Sequence, residues 1–266
     1  MTPTPMDQAK LLAAYDAQLR QWIPEVPQPG HSYETVGPVL RVFGGHRGFV
    51  DTAQNLGATG AALDALIAEQ VAFFAARGES FEWKTRGNDE PAELPDRLIA
   101  AGFVPEEHET VVVGEAALLA TDKPVPDGIT IRQVTDRADL ERIAAMESSV
   151  WGEDWSWLAD DLEGRLQVGD VVILVAEADG TVVSAAWLVT KPGRHFAGLW
   201  GGSTLVEWRG RGIYRALVAR RAQLATERGI PYLQVDASDD SRPILERLGF
   251  VAITTTTPYV WTPPKF

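Results

Sequence analysis

Cysteine is absent from the 266 residues. That single absence excludes disulfides, thiolate zinc sites and cysteine nucleophiles. Histidine is scarce: His31, His46, His108 and His195 are scattered without metal-ligand spacing, so no metal is expected. Long apolar runs are missing as well. No stretch approaches the roughly 18 continuous apolar residues that a membrane span needs. The N-terminus, MTPTPMDQAK, has no basic region followed by an apolar one, which would mark a secretory signal. Positive charge is in short supply too. A formal net charge of −13 argues against broad contact with nucleic-acid backbones. The expectation is a soluble cytoplasmic protein with neither a membrane nor a nucleic-acid partner.

What is present is ordinary globular material, with 45% hydrophobic and 23% charged residues. The length suits one large domain or two small ones. Acidity is uneven, the acidic excess being 9 up to Val125 and 4 from Pro126 onward. Arginines of the second half gather around one short stretch, RGRGIY at 209–214.

The segment TDKPVPDG (121–128) separates the apolar VVVGEAALLA from the alternating ITIRQV and reads as a linker. Beyond it, ITIRQV predicts a strand. DRADLERIAAMESSVW predicts a helix with Asp136 as N-cap, and WSWLADDLEGRLQ a second helix. DVVILVAEADGTVVSAAWLVT predicts a hairpin turning at Asp179-Gly180. HFAGLWGGSTLV is a glycine-interrupted strand. RGRGIY then opens a helix with Ile213, Leu217 and Leu224 on one face and Gly229 closing it. PYLQVDA is a strand, SRPILERLGF a short helix ending at Gly249, and AITTTTPYVW is β-rich but broken by Pro258.

The first half carries a related pattern. ALIAEQVAFFAARGESFEWKTRGNDEPAELPDRLIAAGFVPEEHETVVV lies over ALVARRAQLATERGIPYLQVDASDDSRPILERLGFVAITTTTPYVW, matching Gly78 to Gly229 and Gly102-Phe103 to Gly249-Phe250. Equal order and element lengths favour duplication over chance. The copies differ at one place. ATGAAL (58–63) stands opposite RGRGIY and lacks both arginines and one glycine. Whatever the motif binds, the first half is expected not to bind.

A helix N-terminus presents unpartnered N–H groups, and its dipole favours negative charge. Gly210 and Gly212 keep side chains out of a phosphate's way, and Arg209 and Arg211 supply charged donors. The stretch fits neither the dinucleotide fingerprint nor the nucleotide-triphosphate loop. A basic surface turn is the plainer alternative.

Residues from about 128 to 263 resemble the GNAT superfamily of N-acetyltransferases, whose Arg/Gln-x-x-Gly-x-Gly/Ala signature maps onto Arg209, Gly210, Arg211, Gly212, Ile213 and Tyr214. The resemblance implies two tandem GNAT-like α/β domains, each a mixed, partly antiparallel sheet flanked by helices. Residues 1–120 would be a degenerate copy, 121–128 a linker and 129–266 the acetyl-coenzyme A-binding domain. It further implies that the loop grips the coenzyme's diphosphate and that backbone groups at Thr204 and Leu205 meet the pantetheine arm and the thioester carbonyl. The acetyl group would go to an amine of a small molecule or peptide. Tyr214 stands where Gly or Ala is usual, and Leu245 where many relatives carry a tyrosine acid. Gly198-Leu199-Trp200 holds no carboxylate where some carry a glutamate base.

Candidate bases are Asp236, at a strand end, and His195, before the preceding strand. Each has a plainer alternative, a turn cap for Asp236 and an exposed loop residue for His195. Glu147 on the domain's first helix could reach an acceptor, although helix carboxylates commonly face solvent. Glu207 reads as a surface charge, and Tyr259 as a replacement acid or a packed strand aromatic. Trp151, Trp155 and Trp157 form a core patch or an aromatic acceptor pocket. The absent acid and base leave a second class open, a non-catalytic acyl-coenzyme A sensor.

Overall fold

A computed structural model describes residues 7–122 and 124–264. Lys123 of the expected linker and part of the N-terminal stretch lie outside the described residues. In chain order the elements are α1 (Gln8–Leu19), β1 (Ser32–Val36), β2 (Val39–Phe43), β3 (Gly48–Thr52), α2 (Gly60–Arg77), β4 (Phe81–Arg86), α3 (Leu94–Ala100), β5 (Val104–Pro105) and β6 (Glu109–Glu115). They continue with α4 (Ala116–Leu119), β7 (Thr130–Val134), α5 (Arg137–Trp151), α6 (Leu158–Val168), β8 (Val171–Ala178), β9 (Thr181–Thr190) and β10 (Phe196–Thr204). The last are α7 (Ile213–Glu227), β11 (Tyr232–Ala237), α8 (Arg242–Leu248) and β12 (Val251–Trp261).

The chain divides into two compact units. One takes residues up to Val112 together with Asp236–Glu246 and everything from Val251; the other takes Val113–Val235 and Arg247–Phe250. This differs from a simple cut at 121–128, because the C-terminal strand β12 goes with the first unit. There it pairs antiparallel with β4, Tyr259 opposite Trp83. Pro258 does not break β12. Its carbonyl accepts from Glu106 N, so its missing N–H faces the same side, that of the two-residue strand β5. The ladder to β4 therefore loses nothing.

In the first unit the strand order is β1-β2-β3-β4-β12, with β3 and β4 parallel. Its core is aromatic: Phe74 stacks on Phe81 at 4.1 Å, and Phe103 meets both Phe81 and Trp83 edge-on. In the second unit the order is β11-β10-β9-β8-β7, with β10 and β11 parallel and the rest antiparallel. Each unit thus has a meander feeding a helix that returns as a parallel strand, β3-α2-β4 in one and β10-α7-β11 in the other. Gly78 and Gly229 close those helices with φ of +66° and +70°.

The second unit's hairpin turns as its sequence dictates. Asp179 (φ 47°) and Gly180 (φ 78°) both take left-handed angles between β8 and β9, as a two-residue primed turn requires. α5 and α6 bury Leu140, Ile143, Leu158 and Leu162 against Ile173, Val175 and Ala185 of the sheet. Each fully buried Leu or Ile contributes about 1.5–3 kcal/mol. Two described residues of the expected linker are anchored: Thr121 O accepts from Gln223 of α7, and Pro126 lies beside Gly212.

Candidate functional site

The β10–β11 ladder covers only Phe196–Gly198, while β10 runs on beside β9 to Thr204. Over that second stretch β10 bulges. Register with β9 shifts between Gly201 and Ser203, and Gly201 and Gly202 take φ of +65° and +92°. One extra residue here re-aims the side chains that follow, a device common beside active sites. Gly202 faces α7, where the Tyr214 ring lies so close that a Cβ would come within 2.8 Å of it. Tyr214 therefore packs beneath the bulge rather than standing in a phosphate's space, which accounts for a bulky residue at that position of the motif. Ser203 is held from the other strand, its carbonyl accepting from Ser184 Oγ at 2.6 Å.

After β10 a single 3-10 turn (Val206–Trp208) leads into the RGRG stretch. Gly210 and Gly212 have φ of +74° and +92°, angles that L side chains resist. Around Gly210 no atom would meet an added Cβ, and around Gly212 only Arg215 and Pro126 come within 4 Å. The loop opens outward. Gly212 is the N-cap of α7, without a side-chain cap and without an acid in the first turn. Arg209 Nε donates to Thr204 O at 3.0 Å, Arg211 Nη2 donates to Glu207 O at 3.0 Å, and the Arg211 guanidinium lies 4.4 Å over the Trp208 ring. Both arginines are oriented by the loop they belong to. Next to them, Arg215 and Arg247 line a cleft floored by Leu118, Leu119, Val218 and Leu248. The motif alone did not reveal this second pair of cations. The common face of α7 and α8 brings it together.

Leu205 falls differently from expectation. Its N–H donates to Val183 O at 3.0 Å, so it is committed to the sheet and is no free oxyanion donor. Thr204 Oγ1 bonds Ser184 Oγ at 2.9 Å, buried beside the bulge.

The two expected bases stand in different surroundings. His195 is exposed and precedes β10, roughly 30 Å of extended strand away from Thr204. Asp236 is counted with the first unit and pairs there with Lys84, whose ammonium that carboxylate holds above its usual range against the cost of burial. Leu245 is fully buried, and Tyr259 packs in the first unit's aromatic core, where burial raises its phenol. Glu207 is exposed.

Glu147 departs most from expectation. It is 1% exposed, turned into the core face of α5 with Leu140, Ile143 and Ala144. One carboxyl oxygen accepts from Trp151 Nε1 at 2.9 Å, and the other has no partner at hydrogen-bond geometry among the described residues. Burial pushes its pKa up, offset in part by the facing Ser203 hydroxyl and the Trp151 N–H. Trp155 and Trp157 pack against the same core, and Trp155 stacks on the exposed Trp151.

At the matching place in the first unit, α2 begins with Thr59 as N-cap, and the N–H of Gly60 is already taken. Glu93 Oε1 accepts it at 2.7 Å, and that N–H, with Arg97, holds the Glu93 carboxyl below its usual range. A carboxylate of the chain sits where an anion would. Among the described residues no helix is long and apolar enough to cross a membrane.

No curated protein matches the sequence. Among solved structures, a GCN5-related N-acetyltransferase from Kribbella flavida superposes with a TM-score of 0.69 at 17% identity, over 99% of this chain and 98% of that one. A tandem GNAT protein from the clavulanic acid biosynthesis pathway gives 0.63 at 14% identity, over 97% and 95%. A GCN5-related N-acetyltransferase from Sphaerobacter thermophilus gives 0.56 at 16%, over 89% and 77%. The fold is thus that of two GNAT-like domains in tandem. The Acetyltransferase (GNAT) family model matches residues 137–250, which run from the start of α5 past the bulge, the RGRG loop and α7 to Phe250, so the chain carries a GNAT acetyltransferase domain there.

Proposed function

We propose that the protein moves the acetyl group of acetyl-coenzyme A directly to an amine of a small molecule or peptide in the cytoplasm. The unit of Val113–Val235 and Arg247–Phe250 would supply the coenzyme site, and the other unit would be a copy that no longer binds it. The observation that carries this reading is the uncapped N-terminus of α7, with two left-handed glycines, Arg209 and Arg211 around it. First-turn N–H groups and the helix dipole favour a diphosphate there, and guanidinium groups add charge-assisted hydrogen bonds. Arg215 and Arg247, on an apolar floor, suit the nucleotide end of the same ligand.

Holding amine and thioester together supplies much of the rate, because a bimolecular encounter becomes unimolecular. The ammonium must shed its proton, the nitrogen attacks the thioester carbon, and the thiolate leaves. Buried Leu245 offers no proton to that thiolate, which is the one observation favouring a sensor that binds acyl-coenzyme A without turnover.

Two measurements test the reading. Acetyl-coenzyme A is mixed with a panel of amines while free thiol is followed; amine-dependent release is expected, and binding without release would select the sensor. Calorimetry is then done on Gly212→Asp. A carboxylate at the N-cap occupies the ligand's space and repels it. Losing two charge-assisted bonds at roughly 1.5–3 kcal/mol each weakens binding by on the order of a hundredfold or more. Parent-like affinity in the folded variant would rule out a diphosphate loop.

A further inference from the structure

Glu147 is the only carboxyl among the described residues that has a buried, unpartnered oxygen and faces the β10 bulge. Its place on α5 follows from the helical period. Leu140, Ile143, Ala144 and Glu147 share one face, and all four are buried. A side chain there is desolvated whether it is apolar or not. Leaving a carboxyl oxygen unsatisfied in such a position costs stability, and native structures keep few such atoms without a use. The carboxyl is nonetheless carefully placed. Trp151, one turn on, donates its indole N–H to one oxygen, and the Ser203 hydroxyl faces the carboxyl from the bulge. Ser203 is itself fixed through its carbonyl by Ser184.

We propose that Glu147 is the proton acceptor of the transfer reaction and that Ser203 relays the proton to it from an acceptor ammonium carried on an apolar or aromatic group that packs on Trp151. This inference rests on the transferase reading above. The ammonium gives a proton to Ser203 Oγ as the Ser203 hydroxyl proton passes to the Glu147 carboxylate, leaving a neutral amine and a protonated carboxyl. The amine attacks the thioester carbon, the C–S bond breaks, and the proton lost by the new amide nitrogen goes to the coenzyme thiolate. Glu147 later returns its proton to solvent by way of Ser203. The sum is one ammonium and one thioester consumed, with one amide, one thiol and one proton formed. A relay suits the geometry because the carboxyl is sealed from solvent, whereas Ser203 is only partly buried. The exposed Trp151 face, stacked on Trp155 at 6.2 Å, offers the organic part of the acceptor a flat apolar seat beside the relay.

The charged surroundings are simple. β9 and β10, packed on α5, carry no ionisable side chain. α6 brings Asp160, Asp161, Glu163 and Arg165, engaged with Arg137 or with one another. On α5 itself, Asp139 pairs with Arg132 and Arg142, and Glu141 with Arg137. Glu153 and Asp154 lie in the loop that follows. Burial is what raises the Glu147 pKa, so the rate should climb with pH through a limb above the ordinary carboxylate range.

The test uses the full chain, acetyl-coenzyme A and phenethylamine, with thiol release followed across pH. Glu147→Gln keeps the shape and the acceptor for Trp151. It should bind coenzyme A as the parent does, lose about 10²–10⁴-fold in kcat/KM and lose that pH limb. Ser203→Ala should lose turnover while keeping coenzyme A affinity. Trp151→Phe removes a donor to the carboxylate and should move the limb upward, a shift that a purely structural role would not produce. Glu147→Gln with parent-like kcat/KM and an intact limb would overturn the proposal, as would a Trp151→Phe limb that stays in place. A parent releasing no thiol with any amine would instead overturn the transferase reading, and this inference with it.

Discussion

Arg221 Nη1 donates to the carbonyls of both Trp187 and Trp200, opposite residues of β9 and β10 just before the bulge. Its Nε donates to Leu217 O one turn back, and the side chain is 1% exposed with no carboxylate paired to it among the described residues. Burial drives its pKa down to about 10, so it is still charged at neutral pH. The guanidinium thus acts as a peg from α7 into the strand pair that forms the site. Arg221→Met removes the peg and also the buried charge, and should cost about 1–3 kcal/mol. Arg221→Lys keeps a buried charge, loses the planar fork and places a strongly hydrated ammonium in the core. Urea unfolding should rank stability as parent, then Met, then Lys. A Lys variant as stable as the parent would show that the fork does not hold the strands.

The two units should differ in what their helix N-termini bind. Calorimetry is expected to find one coenzyme A per chain, because Glu93 already occupies the Gly60 N–H and no arginine replaces Arg209 or Arg211 there. Glu93→Ala should leave the stoichiometry at one, since freeing an N–H adds no cation. Two equivalent sites in the parent would contradict the silent-copy reading.

The pH dependence of stability should carry a mark from the first unit. Glu109 is lifted from 4.5 to about 7, mainly by burial and next by the Asp236 carboxylate, with Lys84 opposing. A carboxyl whose folded pKa is raised contributes stability that is complete below its unfolded value and lost as pH rises through the folded one. Stability from this group should therefore fall between about pH 4.5 and 7. Glu109→Gln removes the dependence. Its melting temperature should gain on the parent from pH 5 to pH 8, and a constant gap between the two across that range would refute the assignment.

Much of this was readable from local sequence, and the reasons for the rest are physical. The Asp179-Gly180 turn, the helix-closing Gly229 and the RGRG loop are set by backbone angles that few residues accept, so letters alone reveal them. Glu147 lay within reach as well. Its spacing from Leu140, Ile143 and Ala144 put it on the buried face, and a general expectation about charged residues pointed the other way. The ion pair of Asp236 was not readable, because its partner Lys84 lies 152 positions away. Pro258 looked like a strand break because a sequence does not say which side of a strand lacks a neighbour. β12 joining the first unit is likewise a long-range pairing with no local signature. His195 stands before β10, where the sequence placed it, and the length of that strand separates it from Thr204.

Gly202 and Tyr214 make the bulge testable apart from the coenzyme loop. Gly202 has φ of +92°, where any other residue is strained by about 1–3 kcal/mol, and its added Cβ would meet the Tyr214 ring at 2.8 Å. Gly202→Ala must therefore either bend β10 or push the ring away. Bending β10 moves Ser203 but leaves Gly210, Gly212 and the start of α7 in place. The expected result is a lower urea midpoint and a kcat reduced at least tenfold, with KM for acetyl-coenzyme A within a few-fold of the parent. Tyr214→Ala in the same chain removes the collision and keeps the backbone strain. The double variant should recover part of the stability that additivity would deny it, a coupling of about 0.5–3 kcal/mol in a double-mutant cycle. Strictly additive losses would mean that the ring does not press on the bulge. A large rise in KM for acetyl-coenzyme A in Gly202→Ala would mean that bulge and diphosphate loop move as one piece.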